Sequence, residues 1–358
     1  MTDYDGMKIA VLVSGGVDSS VALALLKAQG HDVTAFYLKI WLEDELAYLG
    51  DCPWEEDLAY ARAVCEKLDV PLEVVPLQEA YWSKVVSYTL AEVKVGRTPS
   101  PDLLCNQLIK FGAFFDTLDP SFEKVATGHY AQVETIDGVT FLKKAKDPVK
   151  DQTYFLSQLS QEQLARILFP IGHLLKSEVR VVAEQFALPT QSRKDSQGIC
   201  FLGKIKFSDF VKHHLGIQKG DLIEFETNEK IGEHEGFWYY TIGQRKGIGL
   251  SGGPWYVVSK DTAANVVYIS RNYYDPEKLR NQFMVHHFNW LSGKPAVMKD
   301  LTLKLRHGAL EYGCTVTFLD QESTQAQVVI DGQDQGIAPG QFAVFYQHDS
   351  CLGSATIC

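Results

Sequence analysis

The residues best equipped for chemistry near the start of the chain are Ser14, Gly15, Gly16, Val17, Asp18, Ser19, Ser20 and Val21. The paired glycines let the backbone turn sharply and approach an anion closely. The seryl hydroxyls add hydrogen-bond donors, and Asp18 is a carboxylate able to carry a magnesium ion. The loop lacks the Gly-Lys-Ser/Thr ending of a Walker A motif. Two lone cysteines mark two further segments. In Pro99-Ser100-Pro101-Asp102-Leu103-Leu104-Cys105 the prolines fix a loop, and Cys105 falls near the start of the helix that follows. The helix dipole and nearby Lys110 would bias that thiol toward thiolate. Asp102 is placed to touch a substrate or take a proton. The competing reading of Cys105 is a buried structural thiol. Cys200 lies among glycines and polar residues in 194–203, a loop setting suited to carrying sulfur or resolving a disulfide. Neither cysteine has a partner at metal-ligand spacing, so no zinc or other resident metal site is expected. Lys150-Asp151-Gln152 precedes an apolar helix start, and Gly243-Gln244-Arg245-Lys246-Gly247 interleaves glycine with cations, a pattern suited to a phosphate backbone. A capped helix and a hairpin turn are the plainer readings of those two segments.

These groups need elements to hold them. The apolar run 9–13 before the glycines and the apolar spacing after them predict strand, tight loop and helix, with the helix amino terminus facing the anion. Residues 33–38 and 71–77 read as further strands, and 124–127 as another running into Gly128-His129-Tyr130. Leu58, Ala61, Cys65 and Leu68 fall at helical spacing, which makes Cys65 a core thiol. Residues 81–95 read as an amphipathic helix stopped by Gly96, and 161–168 and 176–186 as helices. Strand and helix in alternation predict a doubly wound parallel sheet, with Leu38 at a strand end where ligands sit. After a last helix over 206–215 the pattern changes to short strands with glycine turns (221–225, 239–243, 255–260, 266–270). From 282 onward it is almost wholly strand. The expectation is an α/β domain over 1–205, a small mostly-β central domain over 206–275 and a carboxy-terminal β-barrel over 276–358.

Bulk properties narrow the class. At 358 residues, 46% hydrophobic and 22% charged, the chain is an ordinary globular protein of two or three domains. No apolar run reaches the roughly 20 residues of a membrane span. With no signal-like amino terminus, the expected setting is the cytoplasm or an organelle stroma, and the expected state a monomer. Seven scattered cysteines suit free thiols in a reducing compartment, with Cys52, Cys314, Cys351 and Cys358 incidental. A net charge of −11 argues against non-specific nucleic-acid binding through the global field. A local groove remains open to it: Lys143, Lys144, Lys146 and Lys150 form a basic run, although such a run is as often a solvated face.

The glycine loop resembles the pyrophosphatase-type loop of enzymes that adenylate a substrate. With SGGVDSS (14–20), GRTPSPDLLCNQLIKF (96–111), ATGHYA (126–131), KDQTYFL (150–156), DSQGICFLG (195–203), GQRKGIG (243–249), PWYVV (254–258) and APGQFAVFY (338–346) in this order, the chain is similar nearly end to end to the tRNA-specific 2-thiouridylases. These place sulfur at C2 of the wobble uridine in certain tRNAs. The resemblance implies that residues 14–21 bind the ATP phosphates, with Leu38 and Gly128 at the nucleoside. It implies Ser100, Pro101 and Asp102 at the target base, Cys105 as the nucleophile-type catalytic cysteine, and Cys200 as the persulfide carrier. His129, Lys150, Asp151, Gln152, Arg306, His307 and Gln341 match tRNA-contacting positions. Ser100, Leu38 and His307 differ from the Asn, Met and Tyr that many relatives carry there. ATP with magnesium as its counter-ion, a persulfide donor, a sulfur-carrier protein and a thiol reductant would complete the chemistry. Other adenylating enzymes share the glycine loop but need no cysteine pair, and a non-catalytic ATP or tRNA sensor would need neither Asp18 nor the thiols.

Overall fold

The computed structural model describes residues 6–41, 54–194, 206–275, 278, 280–295 and 298–358. Its first layer is a five-stranded parallel sheet. β1 (Lys8–Leu12), β2 (Asp32–Lys39), β3 (Leu72–Pro76), β4 (Lys124–Thr127) and β7 (Ile167–Leu168) lie in the order β3-β2-β1-β4-β7. Strand order reverses between β1 and β4, so the loops after these two strands open onto one crevice at their carboxyl ends. Alternate residues of β1 enter opposite cores. Ile9, Val11 and Val13 pack with the helix α1 (Val17–Ala28) and the helices Trp54–Leu68 and Lys176–Gln185. Ala10 and Leu12 pack with the helices of 78–94 and 101–117. A strand buried on both faces has to be apolar throughout, which is why 9–13 carries no polar residue.

The expected helix over 161–168 is shorter than its pattern. It ends at Ala165, and Ile167–Leu168 turns into β7, pairing with Val125 and Ala126. Two apolar residues at a sheet edge are too short a run for periodicity to separate from a helix end.

Residues 206–275 build a four-stranded sheet from β8 (Gly220–Glu224), β9 (Lys230–His234), β10 (Tyr256–Asp261) and β11 (Val266–Ser270), in the order β10-β11-β8-β9. The stretch 239–243 is not a strand; Tyr239 ends the 3-10 turn Phe237–Tyr239, and 240–243 follows it as an irregular turn. β9 escaped the sequence reading because its glutamate, lysine and glycine content hides the alternation.

The carboxy-terminal strands β12 (Gln282–Trp290), β15 (Gln325–Ile330), β14 (Tyr312–Phe318), β13 (Leu301–Lys304), β16 (Phe342–Gln347) and β17 (Ser350–Ile357) close into a barrel through a β12–β17 pairing. Its interior holds Val285, Leu303, Val328 and Phe345. A hairpin of the first domain, β5 (Gln132–Ile136) and β6 (Val139–Lys143), extends this sheet, with Leu142 and Lys143 opposite Cys351 and Ser350. Its turn is Asp137-Gly138, both at positive φ, a two-residue turn that favours a hairpin. The parallel-sheet domain is therefore stitched to the barrel by backbone pairing.

A buried ion pair reinforces the seam. Lys304 of β13 donates to Asp151 at 3.0 Å, and both side chains are 3% exposed. The Asp151 carboxylate also accepts from the Thr153 hydroxyl and the Ala145 amide. Removing one partner of such a pair leaves a charge in the interior, a loss of about 3–5 kcal/mol. Lys304→Met should lower unfolding stability by the lower part of that range, and adding Asp151→Asn should recover most of it. Urea titration of both variants checks this; equal midpoints for wild type and Lys304→Met would contradict it. Among the described residues, no helix is long and apolar enough to cross a membrane.

Candidate active site

The glycine loop lies at the switch point, between the carboxyl end of β1 and the amino terminus of α1. Gly15 has φ +72°, a conformation that side chains resist, and a Cβ there would stand 2.2 Å from the Asp57 carbonyl oxygen. Gly16 is the N-cap of α1 and supplies no side-chain cap, so the first amides of the helix keep their donors for a ligand. The serines brace the loop from within. Ser19 Oγ accepts from the Ser14 amide at 3.2 Å and donates to the Gly16 carbonyl, and Ser20 Oγ donates to the same carbonyl at 2.8 Å. Ser19 and Ser20 are buried, so they act as scaffold, while Ser14 is exposed and faces the crevice mouth.

The residues that follow β4 bring Gly128 and Tyr130 to this loop and send His129 elsewhere. Gly128 packs so tightly on α1 that a Cβ would lie 2.5 Å from the Ser19 nitrogen. Tyr130 donates its hydroxyl to Asp18 Oδ1 at 2.8 Å. His129 turns the other way, toward the helix of Cys105, with Phe111 and Phe169 around its ring. Its Nδ1 lies 2.8 Å from the Thr127 hydroxyl. Burial, and then the Lys110 charge, hold its pKa well below the usual 6.5, so the ring is neutral at physiological pH.

Sequence reasoning missed two cations here. Lys176 Nζ grips both Asp18 oxygens, at 2.7 and 2.9 Å. Arg193 donates to the Gly15 carbonyl at 2.7 Å, pairs with Asp57 and lies over the Tyr60 ring. Both residues are more than 150 positions from the loop in sequence, and no local pattern marks them. Lys176 opens its helix, where a cation is unfavourable beside the dipole unless something else requires it.

Cys105 is 1% exposed and packs in the core with Leu103, Ile109 and Tyr154. It is not at a helix amino terminus. Pro101–Leu104 forms one α-turn, then the chain widens into a π-helix over Cys105–Ala113 before α-helix resumes at Phe114. The dipole argument for its thiolate therefore loses force. The π segment takes its place as the local signal, since such insertions gather at functional sites. Gly112 permits it, a Cβ there lying 2.8 Å from the Gln107 carbonyl. The loop before Cys105 docks on the barrel. The Thr98 amide donates to the Pro339 carbonyl at 2.7 Å, and a Cβ on Gly340 would meet Arg97. Ser100 bonds the Tyr154 hydroxyl, whose pKa burial pushes up to about 12 and which also lies 3.3 Å from the Phe342 carbonyl. Ser100 and Arg306 thus meet at Tyr154, on a junction between the parallel-sheet domain and the barrel, with Pro101 and Asp102 next to Ser100 in the α-turn and Gln341 next to Phe342 at the start of β16.

The remaining residues divide clearly. Gln152 accepts from the Tyr130 amide at 2.9 Å, which fixes the tyrosine that holds Asp18. Asp151 is an internal strut, not a surface contact. Lys150 is half-buried beside His307, whose ring stacks on Phe155 at 4.8 Å. Arg306 pairs with Asp334 and stays about half exposed. The basic run is largely neutralised: Lys143 pairs with Asp349, Lys144 with Glu311 and Lys146 with Glu178. Leu38 ends β2 beside the crevice, with Lys39 over the Trp54 ring. Cys200 and the surrounding 195–203 lie outside the described residues, as does Cys52. Cys65 and Cys351 are buried free thiols, and burial raises their pKa values to about 11 and about 12.

Family models match all three parts of the chain: a tRNA methyl transferase HUP domain at 7–204, a tRNA methyl transferase PRC-barrel domain at 208–271 and an aminomethyltransferase beta-barrel domain at 280–357. The architecture is that of a parallel-sheet domain with a glycine loop at its switch point, followed by two β-domains. The chain is 48% identical over 358 residues to a tRNA-specific 2-thiouridylase MnmA of Parabacteroides distasonis, covering 98% of this chain and 99% of that one. It is 46% identical over 357 residues to a tRNA-specific 2-thiouridylase MnmA 1 of Bacteroides thetaiotaomicron, with 98% and 99% covered. The chain belongs to the tRNA-specific 2-thiouridylase family, a family of tRNA sulfurtransferases. Among solved structures, a 4-thiouridine synthetase–RNA complex with bound ATP aligns over 58% of this chain and 50% of that chain, at TM-score 0.34 and 13% identity, a likeness too slight to carry an argument.

Proposed function

We propose that this protein thiolates C2 of the wobble uridine of tRNA, using ATP to activate the uracil O2 and a cysteine persulfide to supply sulfur. The observation that supports the reading is a glycine loop and a helix start without a side-chain cap at the switch point of the sheet, with Gly128 packed on α1, Tyr130 bonded to Asp18 and His129 facing the helix that carries Cys105. The triphosphate would rest on the loop amides, with Leu38 and Gly128 beside the nucleoside. Magnesium would arrive on the phosphates. Among the described residues no cluster of three metal-ligating side chains exists, so the protein would add Asp18 as a single ligand, as such phosphate-borne ions allow. When bound, that ion supplies charge stabilisation as pyrophosphate departs.

The chain's own residues do the rest. The loop amides stabilise charge on the polyphosphate. Ser100, Pro101 and Asp102 hold the everted base, and Asp102 positions it or moves a proton. The uracil O2 attacks the α-phosphorus, a bond to adenylate forms, and pyrophosphate leaves. The terminal sulfur of a Cys200 persulfide then bonds C2, either while still attached to Cys200 or as hydrosulfide that a prior attack of the Cys105 thiolate on Cys200 Sγ has released. AMP leaves carrying the former O2. On the first route the Cys105 thiolate then attacks Cys200 Sγ and breaks the S–S bond, and the electron pair stays on the new C2 sulfur. On either route a Cys105–Cys200 disulfide remains. An external dithiol returns both cysteines to thiols with two electrons. A sulfur-carrier protein recharges Cys200.

The family-model descriptions speak of methyl transfer, a chemistry that gives the Cys105 and Cys200 segments no paired role, so thiolation is the better reading. The test is mass spectrometry of tRNA nucleosides after incubation of the protein with tRNA, Mg·ATP and a persulfide donor. The expected product is 2-thiouridine at the wobble position. A methylated nucleoside, or no thionucleoside with pyrophosphate still released, would overturn the proposal. tRNA binding should also weaken steeply with salt, by about tenfold or more between 50 and 200 mM, because the acidic chain grips phosphates only through local cations. Filter binding across that range checks it, and a flat response would contradict it.

A further inference from the structure

We propose that Lys176 is a catalytic residue that binds the β- and γ-phosphates of ATP, parked on Asp18 until Mg·ATP binds; this rests on the ATP reading above. Asp18 stands in the first turn of α1, facing the space where the loop amides would receive a polyphosphate. A bare carboxylate there would repel the ligand. In the structure its charge is neutralised by the Lys176 ammonium, which bonds both oxygens, while Tyr130 gives a second donor to Oδ1. The pair is partly open to solvent, with the lysine side chain 16% and the aspartate 31% exposed, so a ligand can reach both.

The two ends of Lys176 are controlled separately. Its amide is fixed by Asp147, which accepts it at 2.9 Å. Asp147 also accepts from the Val149 and Lys150 amides, so the turn that leads to Lys150 sets where the lysine begins. The four-carbon stem beyond that point has enough rotatable bonds to carry its ammonium from one anion to another. Arg193, on the other flank of the loop, is held at several points. Its guanidinium is committed to the Gly15 carbonyl, Asp57 and Tyr60, and it serves as a fixed brace. With Mg·ATP bound, the Asp18 carboxylate would help hold the ion that the phosphates carry. The ammonium would then turn from Asp18 to the phosphate oxygens held on the loop amides, where its charge balances pyrophosphate as that group forms and leaves. Tyr130 keeps Asp18 oriented during the exchange.

The experiment measures dissociation constants of Mg·ATP and of AMP for full-length wild type, Lys176→Met and Lys176→Arg, by calorimetry without tRNA. AMP lacks the phosphates that Lys176 is assigned to hold, so it reports on the integrity of the nucleoside pocket. Lys176→Met is expected to weaken Mg·ATP by ten- to a hundredfold and to leave AMP within twofold, with Lys176→Arg in between. Unchanged Mg·ATP affinity in Lys176→Met overturns the assignment while leaving the ATP reading intact. Equal loss for ATP and AMP also overturns it, because the lysine would then only support the fold. Failure of the wild type to bind Mg·ATP overturns both readings.

Discussion

Serine in place of either Cys105 or Cys200 is expected to reduce tRNA thiolation by at least about 10³-fold, the scale seen when a group with no substitute in the chemistry is lost. A hydroxyl can neither hold a persulfide nor form the disulfide that releases sulfur. The effect should be confined to sulfur transfer. Adenylation needs neither thiol, so both variants should still bind Mg·ATP and release pyrophosphate in the presence of tRNA. Cys105 is the sharper case because it is buried among Leu103, Ile109 and Tyr154. If it were only a packed thiol, serine would cost some stability and leave turnover largely intact. Single-turnover thiolation with mass-spectrometric detection of 2-thiouridine separates these outcomes. Full activity in either variant would refute the paired role.

Adding one methyl group in Gly128→Ala should weaken Mg·ATP by about tenfold or more, with thiolation falling in parallel, as expected where overpacking costs about 1–3 kcal/mol. The added carbon would meet the Ser19 nitrogen at 2.5 Å and the Asp18 carbonyl carbon at 2.7 Å. Both are backbone atoms in the first turn of α1, so no side-chain rotation relieves the clash. The segment that runs from the end of β4 to Tyr130 must move away from the helix that presents the amides. The Tyr130 hydrogen bond to Asp18 would lengthen with it. Calorimetry of Mg·ATP binding, with circular dichroism as a check on folding, tests this. Wild-type affinity in a folded variant would mean that the β4–α1 contact does not shape the nucleotide site.

The physics of the sequence explains which parts of this picture could be read in advance. The glycine loop was legible because strand, paired glycines and helix are consecutive. The alternating strand and helix pattern gave the doubly wound sheet, and the closely spaced late strands gave the barrel. The cations of the loop were not legible. Lys176 and Arg193 reach Asp18 and Gly15 only after the chain has folded across β7, a two-residue strand with no periodicity of its own. The motif around Asp151 points to an RNA contact and says nothing of its burial against Lys304, a pairing that spans 153 positions. The β5–β6 hairpin carried its signal in plain view, as Asp137-Gly138 between two apolar alternations. That it would extend the distant barrel, and so weld the two domains, depends on β17, and no local pattern encodes it. Cys105 shows the limit in the other direction: its position fits both a helix start and a buried thiol, and only the fold shows that it is buried and opens a π segment.

The central claim is that ATP adenylates the uracil O2 at the glycine loop, and an isotope at that atom tests it most directly. tRNA carrying ¹⁸O at O2 of the wobble uridine would be incubated with the protein, Mg·ATP and a persulfide donor, and the nucleotide products weighed by mass spectrometry. One ¹⁸O in AMP for each 2-thiouridine formed is the expected result. Label in pyrophosphate, inorganic phosphate or water, with AMP unlabelled, would contradict it.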